Sequence, residues 1–287
     1  MSTAIVRPRR SFIFTPGLKP EMFPKALACG TDIVCVELED GIAPKDKAEA
    51  RKHALSLFEQ PQADDGVERI LRINCMREQF GVEDVQAILA TDTPPPALMM
   101  PKVRTPDEVV MLDNLLGERG HATRLHVIIE TNAGLEACYE IAHCSDRIDA
   151  LFFGGVDMAA ELRCRNAWEP LLYARSRVSH AAASAGLDVI DVPYLDLEDP
   201  DGMVEEAKRR KRSASPARAR STRNRSPHST TCSPRATKKS PAPGGLFKLS
   251  RKPTPASSSS TASSCLLYTS PSPRDCVSNL VCRLLLE

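Results

Sequence analysis

Short apolar stretches alternate with longer amphipathic stretches along the first 208 residues of the chain. The apolar stretches, each expected to be a buried strand, are 11–15, 32–38, 69–73, 97–100, 125–129, 150–153 and 189–190. The segments between and after them have the apolar period of helices, which we expect at 21–29, 45–58, 82–90, 106–116, 135–143, 168–185 and 203–208. Strands that are apolar almost throughout and alternate with helices are typical of parallel βα units.

This succession of about seven units favours a curled barrel over an open, doubly wound sheet. No glycine-rich phosphate loop follows the first strand, as it would in a dinucleotide-binding sheet. We therefore predict an α/β fold over residues 1–208, a TIM (β/α)8-type barrel that is incomplete by one strand.

Polar side chains follow the predicted strands at the point where each strand ends. They are Glu37, Glu39, Asp40, Arg72, Asn74, Lys102, Glu130 and Asp157. Barrel enzymes assemble their active sites at the carboxyl ends of the strands, so these groups are expected to meet at one mouth. Each one alone has an ordinary explanation as a helix cap or a solvated loop residue, but the repetition favours a site.

Glu130 and Asp157 form a candidate Mg²⁺ pair, because Mg²⁺ prefers oxygen ligands and retains several waters; Mn²⁺ is an alternative. Glu37 and Glu39 share one face of their strand and could orient metal-bound waters. Arg72 can hold a substrate carboxylate through two parallel hydrogen bonds, or it can pair with one of these acids.

Lys102 follows the fourth strand and can meet a phosphate or an oxyanion, or form a structural salt bridge. No Ser/His/Asp arrangement with a nucleophile stands out along the chain. Metal-assisted electrophilic chemistry on a carboxylated carbonyl compound is therefore the chemistry that the residues allow.

The first 208 residues contain, in order, the strings R-R-S-F-I-F-T-P-G, V-E-L-E-D-G-I-A-P-K-D-K-A-E-A-R, L-R-I-N, M-P-K-V, I-I-E-T-N-A-G and F-F-G-G-V-D-M-A-A-E-L. Together they resemble the HpcH/HpaI aldolase and citrate lyase beta-subunit family. The resemblance implies a TIM barrel, Mg²⁺, and reversible carbon–carbon cleavage of a 3-hydroxyacyl-CoA such as malyl-CoA or citryl-CoA. The products would be a short acyl-CoA and an oxo acid.

The resemblance also implies roles for individual residues. Glu130 and Asp157 match the metal ligands, and Arg72 matches the arginine that holds the oxo-acid carboxylate. In the implied reaction the metal polarises the carbonyl that cleavage forms, and the leaving fragment departs as a thioester enolate.

Further residues match the family around this centre. Glu39 and Asp40 match an acidic pair near the metal-bound waters, while Arg10 and Lys102 would face the phosphate-bearing part of the thioester. The resemblance implies a homo-oligomer, a trimer or hexamer, for an intact member. An aldolase that acts on free 4-hydroxy-2-oxo acids is the alternative among enzymes.

Composition adds the expected cellular setting. The 10 cysteines are irregularly spaced without a C-x-x-C pair, so neither a zinc site nor a disulfide framework is predicted. Residues 1–10 lack the apolar core of a signal peptide, and no window approaches the roughly 18 apolar residues of a membrane span. We therefore expect a cytoplasmic protein without a membrane segment.

Charge is distributed unevenly although the formal net charge is only +1. No acidic residue occurs between Ala207 and Arg274, and residues 209–264 are rich in Ser, Arg and Pro, which predicts a disordered basic tail. Such a tail would also suit a nucleic-acid-binding protein with the barrel as scaffold, although nucleic acid is not the partner that we expect.

A change of reading frame is our preferred explanation of this tail. With suitable codons, residues 213–227 become L-G-F-T-G-K-G-A-L-H-P-K-Q-I-P in the other frame, which would supply the missing eighth strand. Residues 236–264 become an amphipathic helix, and residues 265–287 fit neither frame and resemble a non-native segment. An incomplete barrel exposes two strand edges, so we expect the chain as written to be poorly soluble or inactive.

Overall fold

The computed structural model describes residues 9, 11–60, 62–63, 65–191 and 199–213, all within one compact unit. Its centre is a 7-stranded parallel sheet whose strands follow one another in chain order. The strands are β1 (Phe12–Pro16), β2 (Ile33–Glu37), β3 (Glu68–Arg72), β4 (Ala97–Met100), β5 (Arg124–Ile129), β6 (Ile148–Phe153) and β7 (Asp188–Ile190).

Helices connect consecutive strands, because parallel strands cannot be joined by a tight turn. They are α1 (Met22–Leu27), α2 (Lys47–Ser56), α3 (Gln79–Ala90), α4 (Pro106–Glu118), α5 (Asn132–Glu136), α6 (Cys138–His143), α7 (Gly155–Glu161), α8 (Trp168–Ala185) and α9 (Pro200–Ser213). A 3₁₀ turn at Pro44–Asp46 leads into α2. None of the helices in the described part of the chain is long and apolar enough to cross a bilayer.

The sheet is curled, and alternate residues of its strands point inward and form a separate inner core. Every strand contributes to this core, which contains Phe12, Ile33, Cys35, Ile70, Ala97, Met99, Ile128, Ala150, Phe152 and Ile190. The rings of Phe12 on β1 and Phe152 on β6 meet edge to face with centroids 5.2 Å apart. The other strand face packs against the helices in the larger core. The predicted α/β barrel of seven units is therefore confirmed.

Three predicted segments differ from the structure. The single helix expected over 135–143 is two helices, α5 and α6, which are separated at Ala137. Between the sixth strand and residue 168, where no helix is predicted, the structure has α7, which begins at Gly155 and carries Asp157 in its first turn. The helix expected at 203–208 runs from Pro200 to Ser213, and the rest of the predicted tail lies outside the described residues.

Candidate active site at the carboxyl ends of the strands

The carboxyl ends of β2, β3 and β4 bring an arginine between two acids. Arg72, the last residue of β3, is paired with Glu37 at the end of β2, with Nε 2.5 Å from Oε2. Its Nη1 lies 3.3 Å from Oε2 of Glu39, and its guanidinium stacks 4.8 Å from the ring centre of Phe14. Because contacts on several sides hold it, Arg72 has a fixed orientation at the mouth of the barrel.

Lys102 connects this cluster to the next strands through both its side chain and its backbone. Its Nζ lies 2.6 Å from Oε1 of Glu39 and 3.1 Å from Oδ1 of Asp40. Its backbone N–H donates to Oε1 of Glu130 at 2.8 Å, and its carbonyl accepts from Arg77 at 2.7 Å. Lys102 adopts a left-handed conformation, with φ of 54°, which is unusual for a residue other than glycine.

Glu130 is the buried acid at the centre of the mouth. Burial raises its pKa to about 8, and repulsion from Glu39 and Asp157 acts in the same direction. The backbone N–H of Lys102 and the charge of Arg72 oppose this rise in pKa but do not cancel it. Burial and the neighbouring acids therefore both disfavour a negative charge on Glu130 in the metal-free site.

Gly154 leaves the room that the Glu130 side chain occupies. A Cβ at position 154 would collide with Oε2 and Cβ of Glu130 and would come within 3.0 Å of Ile128. Gly134 has a similar role one turn away, where a side chain would strike the carbonyl of Val103. Gly134 and Gly154, which lie in the sequence strings around Glu130 and Asp157, are therefore needed because neighbouring atoms approach their backbone closely, and not because the backbone must be flexible.

The structure brings together all but one of the predicted site residues. Arg10 lies outside the described residues. The others, which gather at the carboxyl ends of β2 to β6, are Glu39, Asp40, Arg72, Lys102, Glu130 and Asp157. For Arg72 and Lys102, ion pairs with acids of the site are the contacts that form.

Glu37, which is predicted to orient metal-bound waters beside Glu39, makes two contacts within the protein. Its carboxylate accepts the backbone N–H of Glu39 and holds Nε of Arg72. Burial raises the pKa of Glu37 despite the attraction of Arg72. Glu37 therefore binds both the guanidinium of Arg72 and the backbone of the turn at Glu39.

The sequence did not predict a role for Lys47, a buried lysine beside the turn that contains Leu38 and Glu39. Its Nζ donates to the carbonyls of Leu38 and Glu39 at 2.7 and 2.5 Å and to Oδ1 of Asn74 at 2.6 Å. One signal could have revealed it: Lys47 is the first residue of α2, where the helix dipole disfavours a cation.

A second acidic group lies at the opposite, amino end of the sheet. The ligand atoms of Glu68, His126 and Asp149 lie within 4.8 Å of one another. The guanidinium of Arg9 already occupies this group, donating to Glu68 at 2.6 Å and to Asp149 at 3.1 Å. An ion there would have to displace Arg9, so we interpret this group as an ion-pair network that joins the strands.

A parallel barrel with an acidic mouth and a fixed arginine at the carboxyl ends of its strands defines the class of (β/α)-barrel enzymes. The oxygen donors can hold a hard divalent cation, and the arginine can hold a carboxylate. Comparison with known proteins shows which family of barrel enzymes the chain belongs to. The chain belongs to the HpcH/HpaI aldolase/citrate lyase family, whose model matches residues 10–217.

The curated relatives of the chain include lyases. The citrate lyase subunit beta of Escherichia coli K12 is 30% identical over 213 residues, which span 70% of this chain and 68% of the relative. The L-malyl-CoA/beta-methylmalyl-CoA lyase of Cereibacter sphaeroides (strain ATCC 17025 / ATH 2.4.3) is 31% identical over 232 residues, covering 71% and 72% of the two chains.

A solved structure with the same fold contains ligands. The CitE protein of Mycobacterium tuberculosis, in complex with magnesium, acetoacetate and coenzyme A, is 27% identical to this chain. The two superimpose with a TM-score of 0.60, over 71% of this chain and 72% of that one. This chain is therefore a carbon–carbon lyase by family, with a fold shared with proteins of known ligand content.

Proposed function

We propose that the protein is a Mg²⁺-dependent lyase that cleaves a 3-hydroxyacyl-CoA thioester into a short acyl-CoA and an oxo acid, and that also catalyses the reverse condensation. The observation that carries this proposal is the buried Glu130, whose pKa rises to about 8 beside Glu39 and Asp157. Such a cluster is stabilised by a divalent cation, because the cation relieves the repulsion among the acids.

Glu130 and Asp157 are the proposed protein ligands of Mg²⁺. Their donors are oxygen atoms, which suits a hard cation, and the neighbouring Glu39 and Asp40 would orient its waters. The solved relative binds magnesium together with an oxo acid, which supports the same combination here. When bound, the ion supplies Lewis acidity to the carbonyl oxygen of the oxo acid.

Arg72 is proposed to hold the carboxylate of the oxo acid. Its pairs with Glu37 and Glu39 and its stacking on Phe14 fix the plane of the guanidinium before any ligand arrives. A fixed fork loses little conformational entropy on binding and orients the substrate for cleavage of one particular carbon–carbon bond.

Lys102 and Arg10 are proposed to face the phosphate-bearing part of the thioester. The ammonium of Lys102 is partly exposed at the mouth and is held by Glu39 and Asp40. It would therefore have to exchange one of these acids for a phosphate. Support for a CoA substrate comes from the relatives, which include a malyl-CoA lyase and a structure with bound coenzyme A.

The test is a cleavage assay on the chain with its reading frame corrected after about residue 212, over a panel of CoA thioesters that includes malyl-CoA and citryl-CoA, with Mg²⁺ or with EDTA. We expect cleavage with Mg²⁺ only, and none from Glu130→Gln or Asp157→Asn. The matched control is Glu140→Gln, which removes an exposed carboxylate from α6 and should leave cleavage unchanged. Cleavage that persists in EDTA, or in both site variants, would overturn the proposal.

An aldolase that acts on free 4-hydroxy-2-oxo acids is the second candidate, because the matched family includes aldolases. Free CoA distinguishes the two activities. Free CoA should inhibit the cleavage of a CoA thioester by competing for the same binding site. It should leave the cleavage of a free hydroxy-oxo acid unaffected.

A further inference from the structure

A buried ammonium outside the proposed site holds the turn that carries two of its acids. Lys47 is only 7% exposed, and it points away from solvent toward the end of β2. Its three N–H donors meet three oxygen atoms, namely the carbonyls of Leu38 and Glu39 and Oδ1 of Asn74, at 2.7, 2.5 and 2.6 Å. An ammonium has three donors, so these contacts satisfy it fully.

The third of these contacts connects the β2 turn to the end of β3. Asn74 follows Arg72 by two residues and is itself anchored by Asp84 of α3. Oδ2 of Asp84 accepts the backbone N–H of Asn74 at 2.8 Å and its side-chain amide at 2.7 Å. Oδ1 of Asp84 accepts Nε of Arg51 at 2.6 Å, so the network extends back to α2.

The network therefore fixes the spacing between two segments of the mouth. One segment carries Glu39 and Asp40, and the other carries Arg72. Lys47 acts on these groups indirectly: it binds the backbone carbonyls of Leu38 and Glu39 in the first segment and the Asn74 side chain, two residues beyond Arg72, in the second. Buried polar networks of this kind are stabilising only when every member is satisfied, so the loss of one donor disturbs the whole turn.

We propose that Lys47 is a positioning residue for the metal site, which it serves by clamping the Leu38–Glu39 turn to Asn74 so that Glu39 and Asp40 are held where they orient metal-bound waters. This inference rests on the proposed function, because it requires a divalent cation at Glu130 and Asp157. Lys47 would not touch the ion, but it would raise the affinity of the site for the ion by holding the turn in place.

The experiment measures the binding of Mn²⁺ to the full chain by electron paramagnetic resonance of the free ion. Lys47→Met removes all three donors at nearly constant volume, and Lys47→Gln keeps an amide that can still donate. Lys45→Met is the matched control, because Lys45 is exposed and lies two residues away. Circular dichroism gives the folded fraction of each variant, and the Mn²⁺ dissociation constant is taken for that fraction.

We expect Lys47→Met to weaken Mn²⁺ binding by about tenfold or more, the range found when groups that orient metal ligands are removed. Lys47→Gln should fall between Lys47→Met and the unaltered chain, and Lys45→Met should bind as the unaltered chain does. A merely structural lysine would lower the folded fraction and leave the dissociation constant of the remainder unchanged.

Two results overturn the inference in distinguishable ways. If Lys47→Met binds Mn²⁺ within twofold of the unaltered chain while Glu130→Gln abolishes binding, the metal site stands and the role of Lys47 fails. If the unaltered chain binds no Mn²⁺, or Glu130→Gln binds it equally well, the proposed function fails and the inference fails with it.

Discussion

Glu130 is an acid that the fold buries beside other acids, and this has a cost in the metal-free protein. The carboxylate is 5% exposed and its pKa is raised to about 8. Below that pH the folded, metal-free protein therefore holds a proton on Glu130, while the unfolded chain releases it near the ordinary value of about 4.3. Since the unfolded chain then binds fewer protons, stability falls as the pH rises between these two values.

We therefore expect Glu130→Gln to stabilise the protein in EDTA, and more so at pH 9 than at pH 6. The gain over the unaltered chain should grow by about 1.4 kcal/mol per pH unit and level off above a pH of about 8. Urea unfolding at constant ionic strength measures the difference, with the exposed Glu140→Gln as control. An equal gain at both pH values would contradict the buried charge.

Gly154 gives a second prediction at the scale of one residue. Gly154→Ala should push the Glu130 carboxylate aside, because the new methyl group would overlap it, and overpacking of this kind costs about 1–3 kcal/mol. Metal affinity should fall as well. Gly117→Ala is the control: it lies in α4 with Arg147 Nη2 at 3.8 Å as the nearest atom, and should stabilise by about 0.5–1 kcal/mol. Thermal unfolding of both variants should show opposite signs.

At the level of single residues, the sequence predicts the acids of the mouth better than their partners. Glu130 and Asp157 stand out because a charged residue ends an apolar run. The pairing of Arg72 with Glu37, and the burial of Lys47 under Leu38 and Glu39, depend on side-chain directions that period and composition do not encode.

Among the secondary-structure elements, the strands were predictable because each is a continuous apolar run flanked by polar residues. The structure places β4 at the predicted Ala97–Met100, and the other strands shift by a few residues at most. Helix α7 was missed because Gly154 and Gly155 read as a turn, since glycine is a poor helix former. Yet Gly155 opens the helix, and Asp157 in the first turn is favoured by the helix dipole.

The network around Arg9 could not be predicted, because its partners lie 59, 140 and 179 residues away along the chain. Arg9 precedes β1 and pairs with Glu68 on β3, Asp149 on β6 and Asp188 on β7. It thereby links the two edge strands of the sheet at their amino ends.

Arg9→Met should destabilise the protein by about 3 kcal/mol or more, because it leaves the buried Glu68 without a main partner. Burial acts to raise the pKa of Glu68, but its contacts with His126 and its ion pair with Arg9 outweigh burial and hold that pKa far below its usual range. The stabilisation is therefore present above about pH 4.3 and should shrink as the pH falls below it. Denaturant unfolding at pH 7 and pH 3 tests this.

Lys208→Ala removes an exposed pair with Glu205 and serves as the control, with an expected change of at most about 0.5 kcal/mol. An effect of Arg9→Met as small as that of the control would contradict the role of the network.

At the scale of the molecule, the main feature of the described residues is a parallel barrel with seven strands. Among the described residues, β1 and β7 each have a neighbouring strand on one side only. Exposed edges of this kind can pair with other chains. The predicted oligomer, tail and domain limits remain predictions, because they depend on parts of the chain beyond these residues.

We expect the chain as written to self-associate at moderate concentration, and a chain with the reading frame corrected after about residue 212 to remain dispersed. Light scattering of the two proteins at equal concentration measures the difference. The source nucleotide sequence provides an independent check, since it must encode the predicted eighth strand in the other frame. Equal scattering of both chains, or a nucleotide sequence that lacks this strand, would contradict the frameshift.

We propose that one Mg²⁺, held by Glu130 and Asp157, joins Arg72 in binding an oxo acid at the mouth of the barrel. Calorimetric titration of the full chain with glyoxylate and with oxaloacetate tests it most directly, because binding does not require turnover. The proposal predicts binding of at least one of the two acids in Mg²⁺, none in EDTA, and none by Glu130→Gln in either condition. Binding of equal strength in EDTA, or by Glu130→Gln in Mg²⁺, would contradict it.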